Sequence, residues 1–414
     1  MTHESILDYA EAVRPRYLQA RKGERTRILD EFSQVTGYHR KSAIRLLRHP
    51  PKGAGKRGGR PKLYGPELVP ALKVAWEAAD RIGSKRLAPF LPELIPILER
   101  HQELQVAQAI REKLMTISAS TIDRLLGPLR RRIGRRSPST TRSVSALKAL
   151  IPIRTYAERK PTEVGYLEID LAAHCGSSAE GFYLNTLVSV DLVTGWTECV
   201  AVWGKGQSRV GSAIERVRRE LPFRLLGLNS DNGSEFINHS LWDYCQRHHI
   251  AFTRSRAYKK NDQAHVEQKN WSVVRRFVGY DRYTTQEAYE QLAHLYRLVR
   301  LYVNFFQPLC KLIGKRREGA KVHKQYDRAQ TPYQRLQATA ALSSSQREGL
   351  AALYEYLNPV QLRKEIEEAL DELWQMAQPD PRAKAEAAAL AKIDASRKQA
   401  KSPTKSTKSA SSVG

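Results

Sequence analysis

The chain has 414 residues, enough for roughly two to four domains, which excludes a single small stapled module. Its 69 Lys and Arg against 43 Asp and Glu give a formal charge of +26, pointing to a polyanionic partner, either nucleic acid or an acidic membrane face. No stretch approaches the roughly 18 unbroken apolar residues that span a bilayer, and the first residues lack a signal-peptide pattern, so a soluble protein that stays where it is made is expected.

The four cysteines show no paired C-x-x-C spacing, which fits a reducing compartment and argues against a zinc knuckle or a disulfide framework. Residues 1–150 hold about 30 Lys and Arg and about 14 Asp and Glu, so most of the charge imbalance lies there. Ile6, Leu7, Tyr9, Ala10 and Val13 recur at helical spacing, as do Ile28, Leu29, Phe32 and Val35. Gly37 then supplies a turn, and His39 to Arg48 resumes a helix with Ala43, Ile44 and Leu47 inward. This is a helix-turn-helix pattern. Arg40, Lys41 and Arg45 on the outer side of its second helix are placed to meet a DNA groove, against the simpler reading of a solvated face.

Residues 50–63 are rich in Gly, Pro and positive charge, a linker composition. Arg57, Arg60 and Lys62 within it resemble the core of AT-hook minor-groove binders, with one extra glycine. A second helical block, 64–136, ends in a segment where Ser120 and Asp123 offer a capping box, and Arg124 lies on the helix that they open. Residues 137–160 form a second linker.

From Val164 the period changes. GYLEIDLAAH and GFYLNTLVSVDLVTGWTECVAVWG are rich in β-branched and aromatic residues, with a turn at Thr194-Gly195, so three antiparallel strands are expected. The order continues as helix (209–221), strand (225–228), helix (241–248), strand (250–253) and helix (263–277), which makes a mixed sheet with flanking helices. Asp170 falls in the first strand, Asp231 at the end of the fourth, and Glu267 on the last helix, with 35 residues between the last two. Taken singly, Asp231 in Asp-Asn-Gly is an ordinary turn and Glu267 a solvated helix residue. A carboxylate at Asp170, amid Leu167, Ile169 and Leu171, has no cheap structural explanation.

The blocks LEIDLAAH, LNSDNGSEF and NDQAHVEQKNWSVVRRFVGY, in this order, resemble the integrase-core transposases of bacterial insertion sequences, kin to retroviral integrases and built on the ribonuclease-H-like fold. The resemblance covers roughly 164–308. It implies a DDE triad of Asp170, Asp231 and Glu267 that cuts and joins DNA, with Asn270 one helical turn beyond Glu267. Relatives often carry lysines one and two turns past the Glu; here Trp271 and Val274 stand there, leaving DNA contacts to Lys269, Arg275 or Arg276. Phosphodiester chemistry requires an activated oxygen nucleophile and neutralised charge, which two Mg2+ ions supply, with Mn2+ able to substitute. Two Asp and one Glu are suitable hard ligands, and without metal their repulsion should raise at least one pKa. His174, His239 and His265 are expected to be packing residues or phosphate contacts.

Thr284 to Gln307 predicts a long helix with Thr284 and Glu287 as a capping box. Lys311 to Tyr333 has the charge and aromatic mix of a loop or small domain tracking DNA, and a helical pair follows to Ala377, opened by Asn358-Pro359. The expected division is thus a helix-turn-helix module (1–49), a basic linker (50–63), a second helical DNA-binding module (64–136), a linker (137–160), a ribonuclease-H-like core (161–308), a basic, mostly helical C-terminal region (309–378) and a disordered basic tail (379–414). Double-stranded DNA at element ends and target, self-association to a dimer or higher for synapsis, no membrane, and a cytoplasmic, nucleoid-associated place in a bacterium complete the expectation. The rival is a catalytically inactive DNA-binding regulator or architectural protein of transposase descent.

Overall fold

The computed structural model describes residues 2–49, 63–129, 163–256, 263–318 and 321–378, and the chain divides into two compact units, Met1–Gly65 and Pro66–Gly414. The basic segment holding Arg57, Arg60 and Lys62, the linker 137–160 and the tail 379–414 lie outside the described residues.

The first unit is three helices: α1 (His3–Gln19), α2 (Lys22–Thr36) and α3 (Arg40–Arg48). Ile6, Ala10 and Tyr17 from α1 pack with Ile28, Leu29 and Phe32 from α2 and Ala43 and Leu47 from α3. Gly37 ends α2 at φ +73, a left-handed conformation that a side chain resists, and its N–H reaches the Ser33 carbonyl. The His39 side chain accepts from the Lys41 N–H to open α3. Arg40, Lys41 and Arg45 are exposed, and Arg40 is already paired with Asp30.

The second unit opens with α4 (Val69–Ala78), α5 (Ser84–Arg100), α6 (Gln108–Thr116) and α7 (Ala119–Leu126). The cap of α7 is Ser118, which accepts from the Thr121 N–H, and not Ser120 with Asp123; Asp123 instead takes the Ser84 hydroxyl at 2.8 Å. Arg124 is exposed.

The sheet comprises β1 (Tyr166–Ala173), β2 (Asn185–Asp191), β3 (Thr197–Val202), β4 (Gly227–Ser230) and β5 (Ala251–Arg254), in the order β3-β2-β1-β4-β5. β1, β2 and β3 are antiparallel neighbours, while β4 runs parallel to β1 and to β5. Gly195 takes φ +76 in the β2–β3 turn, where the buried Asp191 carboxylate accepts backbone N–H groups from Gly165, Val193 and Thr194. α8 (Gln207–Glu220) packs on β3 and α9 (His239–Arg247) on β5. α10 (Ala264–Lys269) lies on β1 and β2, and its helix continues through Asn270–Arg275 in π form.

The long helix α11 is Gln286–Phe306, capped by Thr285 and not Thr284, and packs on β3. Where a loop or small domain was expected, β6 (Leu312–Glu318) and β7 (Lys321–Tyr326) form a two-stranded hairpin. Three helices follow in place of the expected pair: α12 (Pro332–Gln337), α13 (Ser344–Tyr356) and α14 (Pro359–Gln375), the last with Asn358 as N-cap. Asp80, buried at φ +55 just past α4, receives Arg276 at 2.8 Å and Arg363 of α14, while the Tyr302 hydroxyl of α11 donates to the Ala78 carbonyl at 2.7 Å. The helices before the sheet and those after it are thereby tied to each other.

Candidate active site

Two strands place the first two acids. β1 and β4 are parallel with Glu168 level with Asn229, so Asp170, two residues further along β1, and Asp231, just past the end of β4, come close enough for the Asp231 charge to act on Asp170. Burial first, then the Asp231 carboxylate and more weakly that of Glu235, push the Asp170 carboxyl up to about 7. Its Oδ1 accepts the Leu171 N–H at 2.8 Å and its Oδ2 the Asn270 Nδ2 at 2.6 Å. Asp231 Oδ1 accepts the Gly233 N–H at 2.8 Å, so the Asp-Asn-Gly turn also orients this acid.

Glu235 was not singled out from the sequence, yet it belongs to this group. A Cβ on Gly233 would stand 2.6–2.8 Å from the Glu235 carboxyl atoms, so glycine leaves room for that carboxylate to fold back. Burial and then Asp231 raise the Glu235 carboxyl, against a lowering by Lys205. The only signal in the sequence was its position four residues past Asp231.

Glu267 is exposed on α10, one helical turn before Asn270, the residue that reaches Asp170. What fixes this helix is Glu168, a second residue that sequence reasoning passed over. Its fully buried Oε2 accepts the backbone N–H groups of His265 at 3.0 Å and Val266 at 3.1 Å, docking the first turn of α10 on the strand that carries Asp170. Val266 and Val274 then pack against Ala172, Val188 and Val190.

The remaining residues divide. Lys269 is half-buried, and its ammonium is drawn down to about 8 by burial, with Cys199 opposing and Arg86 assisting the shift. Arg275 donates to the carbonyls of Ala173 at 2.9 Å and Gly279 at 3.3 Å and lies over the Tyr280 ring, so in this structure it ties the helix to the end of β1. Trp271 is 65% exposed, whereas Val274 is buried. His174 is a packing residue: burial pulls its imidazole down to about 3, and its Nε2 lies 2.7 Å from the Thr186 hydroxyl. His239 is exposed at the start of α9, and the His265 backbone N–H goes to Glu168.

Asp170, Asp231, Glu235 and Glu267 offer hard oxygens, the donor type that Mg2+ takes, and the buried Oδ1 of Asn270 has no hydrogen-bond partner among the described residues. This donor set fits a divalent cation chemically. Among the described residues, no group of three or more His, Cys, Asp and Glu side chains is arranged to hold one ion as the side chains stand.

The integrase core domain model matches residues 161–260. The uncharacterized protein y4rM of Sinorhizobium fredii (strain NBRC 101917 / NGR234) is 45% identical over 324 residues, covering 77% of this chain and 91% of its own. The chain belongs to the integrase-core family, with y4rM as a relative. Among solved structures, the catalytic core domain of BIV integrase is 20% identical, covering 41% of this chain and 91% of that one, with a TM-score of 0.27. The HTLV-2 integrase catalytic core domain in complex with magnesium is 14% identical, covering 36% and 93%, with a TM-score of 0.28. Among the described residues no helix is long and apolar enough to cross a membrane.

Proposed function

We propose that this protein is a transposase that binds the terminal inverted repeats of a mobile element and cuts and joins DNA through Asp170, Asp231 and Glu267. The observation that carries the reading is the register of β1 on β4, which supports Asp170, midway along β1, lying near Asp231, just past the end of β4, within a segment matched by the integrase core. Burial, and after it the repulsion from Asp231, raises Asp170, and cationic charge would offset that repulsion. Asp170 would be the shared ligand, with Asp231 completing one ion site and Glu267 the other, for two Mg2+ ions or Mn2+ in their place. When bound, the pair of ions neutralises charge at the scissile phosphate and eases formation of an oxygen nucleophile and departure of an alkoxide.

The chain's own residues prepare that site. Asn270 holds one Asp170 oxygen in place, and Glu168 fixes the helix from which Glu267 extends. The exposed Lys41 and Arg45 of α3 and Arg124 of α7, with Arg40, Arg57, Arg60 and Lys62, are proposed to hold the element ends as parts of helix-turn-helix and linker contacts. Lys269, Asn270 and Arg275 are proposed to act near the cleaved strand. Pairing of two ends requires at least a dimer.

The test is strand transfer with Mg2+ or Mn2+ on duplexes carrying the repeats that flank the coding region. Asp170→Asn, Asp231→Asn and Glu267→Gln should each abolish joining while leaving end binding intact. Joining retained by all three variants removes the triad assignment. A wild-type chain that binds ends but neither nicks nor joins them is the inactive regulator instead.

A further inference from the structure

The hairpin after α11 is built unlike the rest of its unit. Among the described residues β6 and β7 pair only with each other, and all of β7 and the Lys315–Glu318 part of β6 are exposed. Between Leu312 and Tyr326 five Lys and Arg stand against a single carboxylate, Glu318, which is held by Arg316 at 3.1 Å and His323 at 3.6 Å.

An isolated two-stranded hairpin is marginal in water, but this one has an anchored foot. Leu309 and Gln330 exchange backbone hydrogen bonds at 2.9 and 3.1 Å. Asp327 accepts the Lys311 N–H at 2.6 Å and an Arg335 nitrogen at 2.7 Å, and the Lys311 ammonium donates to the carbonyls of Leu192, at 2.7 Å, and Val193 in the β2–β3 turn. The root is fixed while the arm stands in water.

Two features of the arm work against its own stability. Lys315 lies directly across from Lys324, and like charges facing each other weaken a strand pair. Ile313, Val322 and Tyr326 keep 62%, 51% and 52% of their surface in water. Both features suit a polyanion that neutralises the cations and covers the apolar groups. A strand from a second copy fits poorly, because lysines along an open edge oppose strand addition and a second arm doubles the repulsion. Duplex DNA fits in size as well as charge, since its major groove, about 12 Å wide, admits a two-stranded ribbon.

We propose that the β6–β7 ribbon is a DNA-contacting arm that lies in a groove of duplex DNA, with Lys315 and Lys324 on backbone phosphates. This rests on the reading of the chain as a DNA-acting protein and extends it to an element separate from the helical modules and the acids.

The test measures binding of the full chain to a random-sequence duplex several helical turns long over a range of salt concentrations. The wild type is compared with the double variant Lys315→Gln/Lys324→Gln and with Arg297→Gln/Lys364→Gln, which removes the same charge elsewhere. Each lost phosphate contact lowers the log–log salt slope by roughly 0.9, so the ribbon variant should lose about 1.8 and the control much less. The thermal midpoint of the ribbon variant should be no lower than that of the wild type, because its side chains are exposed and the change removes a facing pair of like charges. An unchanged slope in the ribbon variant, or equal losses in both, overturns the proposal. So does a ribbon variant that changes oligomeric state with its slope intact, which assigns the arm to a second copy. If the wild type itself binds no duplex, the DNA-acting reading fails; if binding behaves as expected but joining is absent, the arm stands and only the catalytic assignment falls.

Discussion

Glu168 offers the sharpest test of how the candidate site is assembled. Its buried Oε2 is the common acceptor for the N–H groups of His265 and Val266. Glu168→Ala leaves both donors without that acceptor. An unsatisfied buried donor costs roughly 1–3 kcal/mol, and the His265 position is half-exposed, so the loss should be about 2–4 kcal/mol. Glu168→Gln keeps an acceptor oxygen for these donors and loses the attraction of a negative charge for a helix start, about 1 kcal/mol. Amide hydrogen exchange reads this locally. At His265 and Val266 the Ala variant should exchange roughly 30-fold to nearly a thousand-fold faster than the wild type, and the Gln variant about 5-fold faster. Strand transfer should fall with the Ala variant and largely survive in the Gln variant, because α10 carries Glu267 and its π-form continuation carries Asn270. Equal exchange in the two variants, or none faster than the wild type, would refute the docking role.

Other consequences follow from the same structure. Burial raises Asp191 to about 6 despite its three backbone donors and nearby Lys311, so the folded chain holds this proton more tightly than the unfolded one. Its stabilising effect is therefore complete below about pH 4 and lost as the pH rises through about 6; the unfolding free energy of the wild type relative to Asp191→Asn should drop by up to roughly 3 kcal/mol over that range, and a flat difference between their denaturant curves contradicts this. Gly165, at φ +112, has the Arg224 carbonyl 2.3 Å from where a Cβ would sit, whereas the three atoms nearest a Cβ on Gly233 all belong to the movable carboxyl end of Glu235. Gly165→Ala should lower Tm by far more than Gly233→Ala, with stability losses of about 2 kcal/mol or more against less than about 1 kcal/mol, and similar Tm losses would show that the backbone at Gly165 yields. Titration calorimetry with Mn2+ should give heat with the wild type that is strongly reduced in Asp170→Asn, while unchanged binding would place the cation elsewhere.

The central sheet was legible because its strands are buried and rich in β-branched residues, while the intervening helices show their own spacing; the strand and helix order from β1 to α10 follows from that contrast. Caps at Ser118 and Thr285 were missed by one or two positions, since a neighbouring Ser or Thr carries the same chemistry and only backbone geometry selects between them. The β6–β7 ribbon gave no strand signal because no core covers it, and alternation in a sequence is a record of burial. Asp170 stood out as an acid among aliphatic neighbours, but Glu168 on the same strand did not, because its partners are main-chain groups about a hundred residues away that leave no mark on side-chain identity. The same holds for Glu235, whose relation to Asp170 and Asp231 depends on how the loop after β4 folds back.

The shared carboxylate at Asp80 has a mechanical meaning. Three stretches far apart in sequence, the end of α4, the helix that continues past the candidate site through Arg276, and α14, converge on one acid. Displacing any one of them would strain the ion pairs that join it to the others. Within this unit, a pull on its leading helices would therefore be felt at the helix bearing Glu267, much as a keystone makes several arms of a vault answer to one another.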